Sequence, residues 1–360
     1  MTTIGFAIIG GGWRTRFFLK IAHEMPERFR VTGMMVRDAA KARAIQDEWH
    51  VPTQQTLDDF FAQNKAAQFA ITSVPWAVNP DMMTACISRG LPVLSETPPA
   101  PTIDALVALW QALGPNAKVQ IAEQYPFQPL HAARLNVIAS GKLGNIWQAN
   151  VSIAHGYHGI VLMRRFLGMG YERATISARR FTSKLVQGPG RAGPPAEEKL
   201  VDDTQLLAHF AFESGKLGVF EFTGAQYFSH VRGNRLLVRG ERGEIEGETV
   251  RHLQDVRTPI WQKLQRHDTG YSGNLEGWHH RGYLLGEQWV YQNPFAPARL
   301  SDDEIAVATC LQKMSDYVSD GPSFYSLAEA SQDHYLNLLM DRAATTGEVI
   351  QSQNQAWAQN

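Results

Sequence analysis

The chain is poor in cysteine. Cys86 and Cys310 are its only two in 360 residues, too few for a disulfide framework or a cysteine-based zinc site, and in keeping with a reducing cytoplasm. Long apolar runs are lacking, so no segment is expected to span a bilayer, and the opening residues carry no signal-peptide pattern. An excess of one charge is lacking too. Lys and Arg total 34 against 35 Asp and Glu, a formal net charge of −1, with no basic run. Nucleic acid and acidic membranes are therefore not expected partners. There is no internal repeat. With 44% hydrophobic and 19% charged residues, the chain has the make-up of a globular protein long enough for two domains.

The most informative stretch is Ile4 to Phe18. An apolar run, Phe6-Ala7-Ile8-Ile9, stops at Gly10-Gly11-Gly12 and turns amphipathic. This reads as a buried strand, a tight turn and a helix. Gly10 permits the turn, and Gly12 lets backbone amides approach a ligand. The helix N-terminus offers unpaired N–H groups and a positive dipole end, which favour a diphosphate. Thr15 stands where the third glycine of such turns falls; the strand before and the helix after carry the assignment.

The pattern that follows alternates. Strands are predicted at Phe29 to Val36, Gln68 to Ser73, Pro92 to Ser95 and Lys118 to Ala122. Helices are predicted at Ala39 to Trp49, Thr56 to Gln63, Pro80 to Arg89 and Ile103 to Leu113. This spacing predicts an α/β protein opening with a doubly wound parallel sheet. Ligands of such sheets sit at the carboxyl ends of the strands. Four segments meet there: 10–15, 36–38, 73–79 and 96–98. A helix over Tyr125 to Ala139 follows, then strands at Ile146 to Ala154 and Thr175 to Arg180. A hairpin is predicted from Leu206 to Thr223, with short strands at Leu236 to Arg239 and Gly243 to Glu248. GPGRAGPP, residues 188–195, has the composition of a mobile loop.

The chain resembles the Gfo/Idh/MocA oxidoreductases, named for glucose-fructose oxidoreductase and inositol dehydrogenase. The resemblance rests on IIGGGWR, VRDAAKARA, SVPWAVN, CISRGLPVLSETP, QPLHAARLNVIASGKLGNI, HGIVLMRRFLG, VDDTQLLAHFAFESGKLG and SLAEASQDHYLNLLMDRAATTGEVI, in that order. It implies a Rossmann domain over residues 1–124. Residues 125–360 would form a substrate-binding and oligomerisation domain around a large open, mostly antiparallel sheet, with a homodimer or homotetramer as the assembly. Cofactor contacts are expected from Gly10, Gly12, Trp13, Arg14, Arg37, Ser73, Pro75, Asn79, Glu96 and Gln124. In NAD-preferring folds an acidic residue near the end of the second strand binds the ribose. Here that position is Val36, followed by Arg37, and Arg14 and Arg16 add positive charge. The expectation is NAD(P), leaning to NADP(H).

The catalytic pattern departs from the family. Where relatives carry Glu-Lys-Pro, this chain has Glu96-Thr97-Pro98. A threonine hydroxyl is a poor base and brings no charge to an alkoxide. His158 takes the family's histidine position, while the flanking aspartates become Ala154 and Val161. The expected catalytic residues are His158, as the proton handler, with Tyr125 and Thr97 assisting. His155, Tyr157 and Glu123 lie near them in sequence. Asp202 and Asp203 are either substrate ligands or turn residues. Tyr271 to Phe295, rich in Trp, Tyr and His, suits a sugar ring or a subunit interface equally. His279-His280 has no third ligand in view, so no metal is expected.

These residues point to an NAD(P)-dependent oxidoreductase acting on a hydroxyl or carbonyl of a sugar-like molecule. Two alternatives stay open. One is net glycoside cleavage or elimination by transient oxidation with a held cofactor. The other is a cofactor-binding protein without dehydrogenase activity, because the usual lysine is Thr97.

Overall fold

The computed structural model describes residues 3–358. The first sheet forms from the predicted alternation. Its strands are β1 (Ile4–Ile9), β2 (Phe29–Met35), β3 (Thr53–Gln54), β4 (Phe69–Thr72), β5 (Val93–Ser95) and β6 (Val119–Ile121). Between them run α1 (Thr15–Glu24), α2 (Ala39–Trp49), α3 (Leu57–Gln63), α4 (Asn79–Ile87) and α5 (Ile103–Leu113). All pairings are parallel, in the order β3-β2-β1-β4-β5-β6. This is the doubly wound dinucleotide-binding order, whose switch point lies between β1 and β4. β1 is buried along its whole length, as its unbroken apolar run requires. Asp38, Thr56 and Thr102 cap α2, α3 and α5 by accepting backbone N–H bonds.

The remaining elements are α6 (Pro129–Ala139), β7 (Ile146–Ser152), α7 (Gly156–Leu167), β8 (Ala174–Val186), β9 (Leu200–Phe212), β10 (Leu217–Thr223), β11 (Arg235–Gly240) and β12 (Gly243–Glu246). They continue with β13 (Thr249–Asp255), β14 (Thr258–Asp268), β15 (His280–Leu285), β16 (Gln288–Gln292), α8 (Asp302–Val318), α9 (Leu327–Thr346) and β17 (Ile350–Gln351). An eleven-stranded sheet runs β16-β15-β14-β13-β12-β11-β7-β10-β9-β8-β17. Only β7 and β10 pair in parallel. The α/β architecture is the expected one: the alternation of elements predicts the doubly wound sheet, and the family resemblance implies the large, mostly antiparallel sheet that follows.

Local differences have local causes. The helix expected over Tyr125 to Ala139 is a short 3-10 turn at Tyr125–Phe127 and then α6, because Gln128 is extended ahead of Pro129. The aromatic stretch 271–295 contributes β15 and β16 to the sheet. Asp202 and Asp203 lie inside β9, not in a turn. Asp202 pairs with Lys184, while buried Asp203 accepts from the Thr223 hydroxyl and pairs with Arg232.

The C-terminal helices return to the first sheet. Ile305, Ala308 and Leu311 of α8 share a core cluster with Phe6, Ile8 and Phe18. The Gln120 side-chain oxygen accepts the Tyr325 N–H at 2.9 Å, just ahead of α9.

Candidate active site

The glycine turn is shaped by the close approach of the chain just beyond β4, the parallel neighbour of β1. Gly10 has φ +123°, and a Cβ there would lie 2.0 Å from the Ser73 carbonyl oxygen. Only glycine fits. At Gly12 an added Cβ would meet nothing within 4 Å, so space opens in front of the turn. Thr15 is buried, its hydroxyl 3.4 Å from the Ser73 hydroxyl. It packs against β4 in the third-glycine position. No side chain caps α1, its first turn holds no acid, and the N–H groups of Gly12, Trp13 and Arg14 find no partner among the described residues. Open N–H donors facing free space at a helix start fit a dinucleotide diphosphate.

The arginines are not all where the sequence suggested. Arg14 donates through Nε to Glu96 at 3.0 Å and through Nη1 to Asp303 at 3.2 Å. Burial would lower this guanidinium, but the two carboxylates outweigh burial and hold it above its usual value. Arg14 thus ties the glycine turn to the loop after β5 and to α8. It is not a free charge at the adenosine edge. Arg16 pairs with Glu48. Arg37 stands exposed after buried Val36, and Asp38 is occupied capping α2 by accepting the Lys41 N–H at 2.8 Å.

Ser73, Pro75 and Asn79 follow β4. Pro75 is exposed beside Trp76. Asn79 is buried, and its amide donates to the Ser95 hydroxyl at 2.8 Å. Its side chain therefore fixes the β5 loop from within. Thr97 sits half-buried on that loop and makes no side-chain hydrogen bond among the described residues.

A short contact between a carboxylate and an imidazole lies at the end of β6. Glu123 is fully buried, and its Oε2 lies 2.6 Å from His158 Nδ1. Its other oxygen accepts the Tyr125 N–H at 3.1 Å. A carboxylate accepts, so Nδ1 carries the proton and Nε2 of the neutral ring presents a lone pair. The His158 side chain stays 12% exposed, which leaves the ring accessible. The Tyr125 ring lies 4.7 Å from the His158 ring, centre to centre. Burial, then Tyr227, pushes the Tyr125 hydroxyl far above its ordinary value, so it stays a neutral hydrogen-bonding group. Gln124 is buried between Glu123 and Tyr125.

α7 begins just before His158. At Gly159 a Cβ would come within 2.3 Å of the Phe220 ring, so this glycine lets the helix start lie directly on β10. Ala154 and Val161, the positions of the missing aspartates, are completely buried and fill the core.

Two further clusters join residues that are distant in sequence. The Tyr227 hydroxyl accepts the His155 N–H at 3.0 Å and also meets the His155 ring. Burial and the neighbouring His158 push the His155 ring down to about 4. Behind α7 the Tyr157 hydroxyl donates to Tyr325 at 2.8 Å, and Tyr325 to Asp333 at 2.8 Å. Arg164 donates to the other Asp333 oxygen at 2.7 Å. All four side chains are buried. His279 and His280 turn to separate partners, Thr269 and Asp268, as structural members of the second sheet.

The glycine turn, Glu96-Thr97, Glu123 and His158 are all carried by, or packed against, the carboxyl ends of the first sheet, as dinucleotide chemistry requires. Residues 4–123 match the GFO_IDH_MocA model, described as an oxidoreductase family with an NAD-binding Rossmann fold. No curated protein sequence matches the chain. Among solved structures, apo levoglucosan dehydrogenase is similar at 14% identity, covering 98% of this chain and 100% of that one, with a TM-score of 0.71. Apo scyllo-inositol dehydrogenase from Lactobacillus casei is similar at 15% identity, 97% and 98% coverage and a TM-score of 0.66. An oxidoreductase from Agrobacterium radiobacter, in complex with NAD+, L-tartaric acid and magnesium, gives 14%, 97%, 98% and 0.68. At these identities the likeness establishes the fold. The family match is confined to residues 4–123, and it identifies this first domain as similar to the NAD-binding Rossmann domain of the Gfo/Idh/MocA oxidoreductases.

Proposed function

We propose that this protein is an NAD(P)-dependent oxidoreductase that moves hydride between the nicotinamide and a hydroxyl or carbonyl carbon of a sugar-like small molecule. The observation that carries the reading is the 2.6 Å contact between Glu123 and His158 Nδ1. It gives a fixed histidine base at the strand ends, in a chain that has Thr97 instead of the family's lysine. When bound, the nicotinamide supplies the hydride acceptor or donor. His158 Nε2 takes the hydroxyl proton during oxidation and returns it during reduction. Glu123 holds the tautomer and favours the imidazolium that forms. Thr97 and the neutral Tyr125 hydroxyl orient the substrate oxygen. Residues 1–124 form the dinucleotide-binding unit, and residues 125–360 hold the substrate and the contacts of a homodimer or homotetramer. A screen of polyols and cyclic sugars, read at the reduced-nicotinamide absorbance, tests this. Turnover of at least one is expected. Nucleotide bound tightly with no net turnover would favour transient oxidation or a silent binding protein; Thr97, Ala154 and Val161 support the second and count against the first, which also needs a base.

For the cofactor we infer a preference for NADP(H), resting on Arg37 alone. It is exposed just past the end of β2, with no carboxylate partner among the described residues, and Asp38 beside it is engaged by its cap. Arg37→Ala should weaken NADPH by about tenfold, the scale of one charge-assisted phosphate contact, and leave NADH unchanged. Equal losses for both in a titration would end the inference.

A further inference from the structure

The hairpin of β8 and β9 reaches the glycine turn from the other sheet. The strands pair from Ala174↔Phe212 out to Val186↔Leu200. Beyond them Gln187 donates to the Lys199 carbonyl at 2.8 Å. Gly190 and Gly193 then exchange backbone hydrogen bonds of 2.9 and 3.0 Å, which closes a tight turn with Arg191 and Ala192 at its tip. This tip places the Arg191 guanidinium over the Trp13 indole, 4.3 Å from the ring centre. Trp13 is 58% exposed and also meets Phe17 edge-on. It follows Gly12 directly, so Arg191 stands at the mouth of the turn.

The charges around the turn give this contact its meaning. A dinucleotide brings a doubly charged diphosphate to the open N–H groups of Gly12, Trp13 and Arg14. The Arg14 side chain is bound to Glu96 and Asp303, and Arg16 to Glu48. Arg191 is exposed and has no carboxylate partner among the described residues. We propose that Arg191 is a binding residue for the diphosphate, delivered by the β8–β9 hairpin and parked on Trp13 until the dinucleotide enters. The planar guanidinium suits both tasks, since it stacks on an indole and donates in parallel to phosphate oxygens. The inference rests on the dinucleotide reading of the turn.

Calorimetric titration of the full chain with NADH and NADPH tests it, using Arg191→Ala and Arg191→Lys. The alanine variant should bind both nucleotides about tenfold more weakly or worse, with a shallower dependence on salt. Lysine should recover part of the loss. Alanine binding equal to wild type overturns the proposal. So does a loss confined to NADPH, which would place Arg191 on the 2′-phosphate, and so does lysine no better than alanine. Wild type binding neither nucleotide overturns the dinucleotide reading as well, whereas tight wild-type binding with an unaffected alanine variant overturns only the Arg191 assignment.

Discussion

His158→Ala lowers kcat for any substrate found by about 10² to 10⁴, the range of one positioned general base, and leaves NADH binding intact. The second effect follows from geometry, because His158 is fixed from β6 by Glu123, away from the glycine turn. Glu123→Gln separates positioning from simple presence. A glutamine can turn its amide to the ring, donate to Nδ1 and move the proton to Nε2. The neutral ring then has no lone pair for the substrate, and kcat falls by about 10 to 100-fold with KM little changed. The ring nitrogens report this without any substrate. In 15N spectra the wild type should show the Nδ1–H tautomer of His158, and the glutamine variant a mixture or the reverse. His155 does not take over. Its ring, pushed down to about 4, is neutral from pH 5 to 8, so an acid limb near neutrality belongs to another group. Full activity in His158→Ala, or an unchanged tautomer in Glu123→Gln, would remove His158 from the chemistry.

What could be read from the sequence was local. The glycine turn joins adjacent strand and helix, so its apolar run, glycines and amphipathic continuation were legible together. α2 and α5 appear with the predicted ends because Asp38 and Thr102 cap them within a few residues. The site's electrostatics were not legible, because they join distant segments. Glu123 meets His158 across 35 positions, and Asp303 meets Arg14 across 289. A sequence shows Arg14 beside a phosphate turn but not the carboxylate that α8 brings to it. β15 and β16 were hidden because aromatic and histidine residues at 278–291 dilute the alternation that marks a half-buried strand. Tyr227 follows β10 in a short turn, and nothing local distinguishes it from a surface tyrosine.

The largest loss of stability is expected at Asp333. This carboxylate accepts from Arg164 on α7 and from Tyr325, with all three side chains buried. Burial raises the Asp333 carboxyl above its usual range, and Arg164 and Tyr325 only partly oppose it. Two neighbours already donate to Asp333. Asparagine would point an N–H at one of them and leave the Arg164 guanidinium buried without a counter-charge. Asp333→Asn should therefore cost about 3–5 kcal/mol, read as a drop in the urea midpoint. The pH dependence has a definite sign. A carboxyl that titrates higher in the folded than in the unfolded chain takes up its proton first in the native state. Its own contribution to stability therefore rises as pH falls through the raised value towards the ordinary one, and Asp333→Asn removes that rise. The double variant Arg164→Met with Asp333→Leu takes away both charges, and buried pairs replaced by apolar groups of similar volume are often neutral in stability. Most of the lost stability should return, short of the whole because Arg164 also donates to the Gly170 carbonyl. If the double variant is as unstable as the single one, the cost lies in packing around α7. Recovery of stability with turnover still depressed would instead assign the Asp333–Arg164 pair, which anchors the last turn of α7, to holding that helix, and with it His158, in register with Glu123.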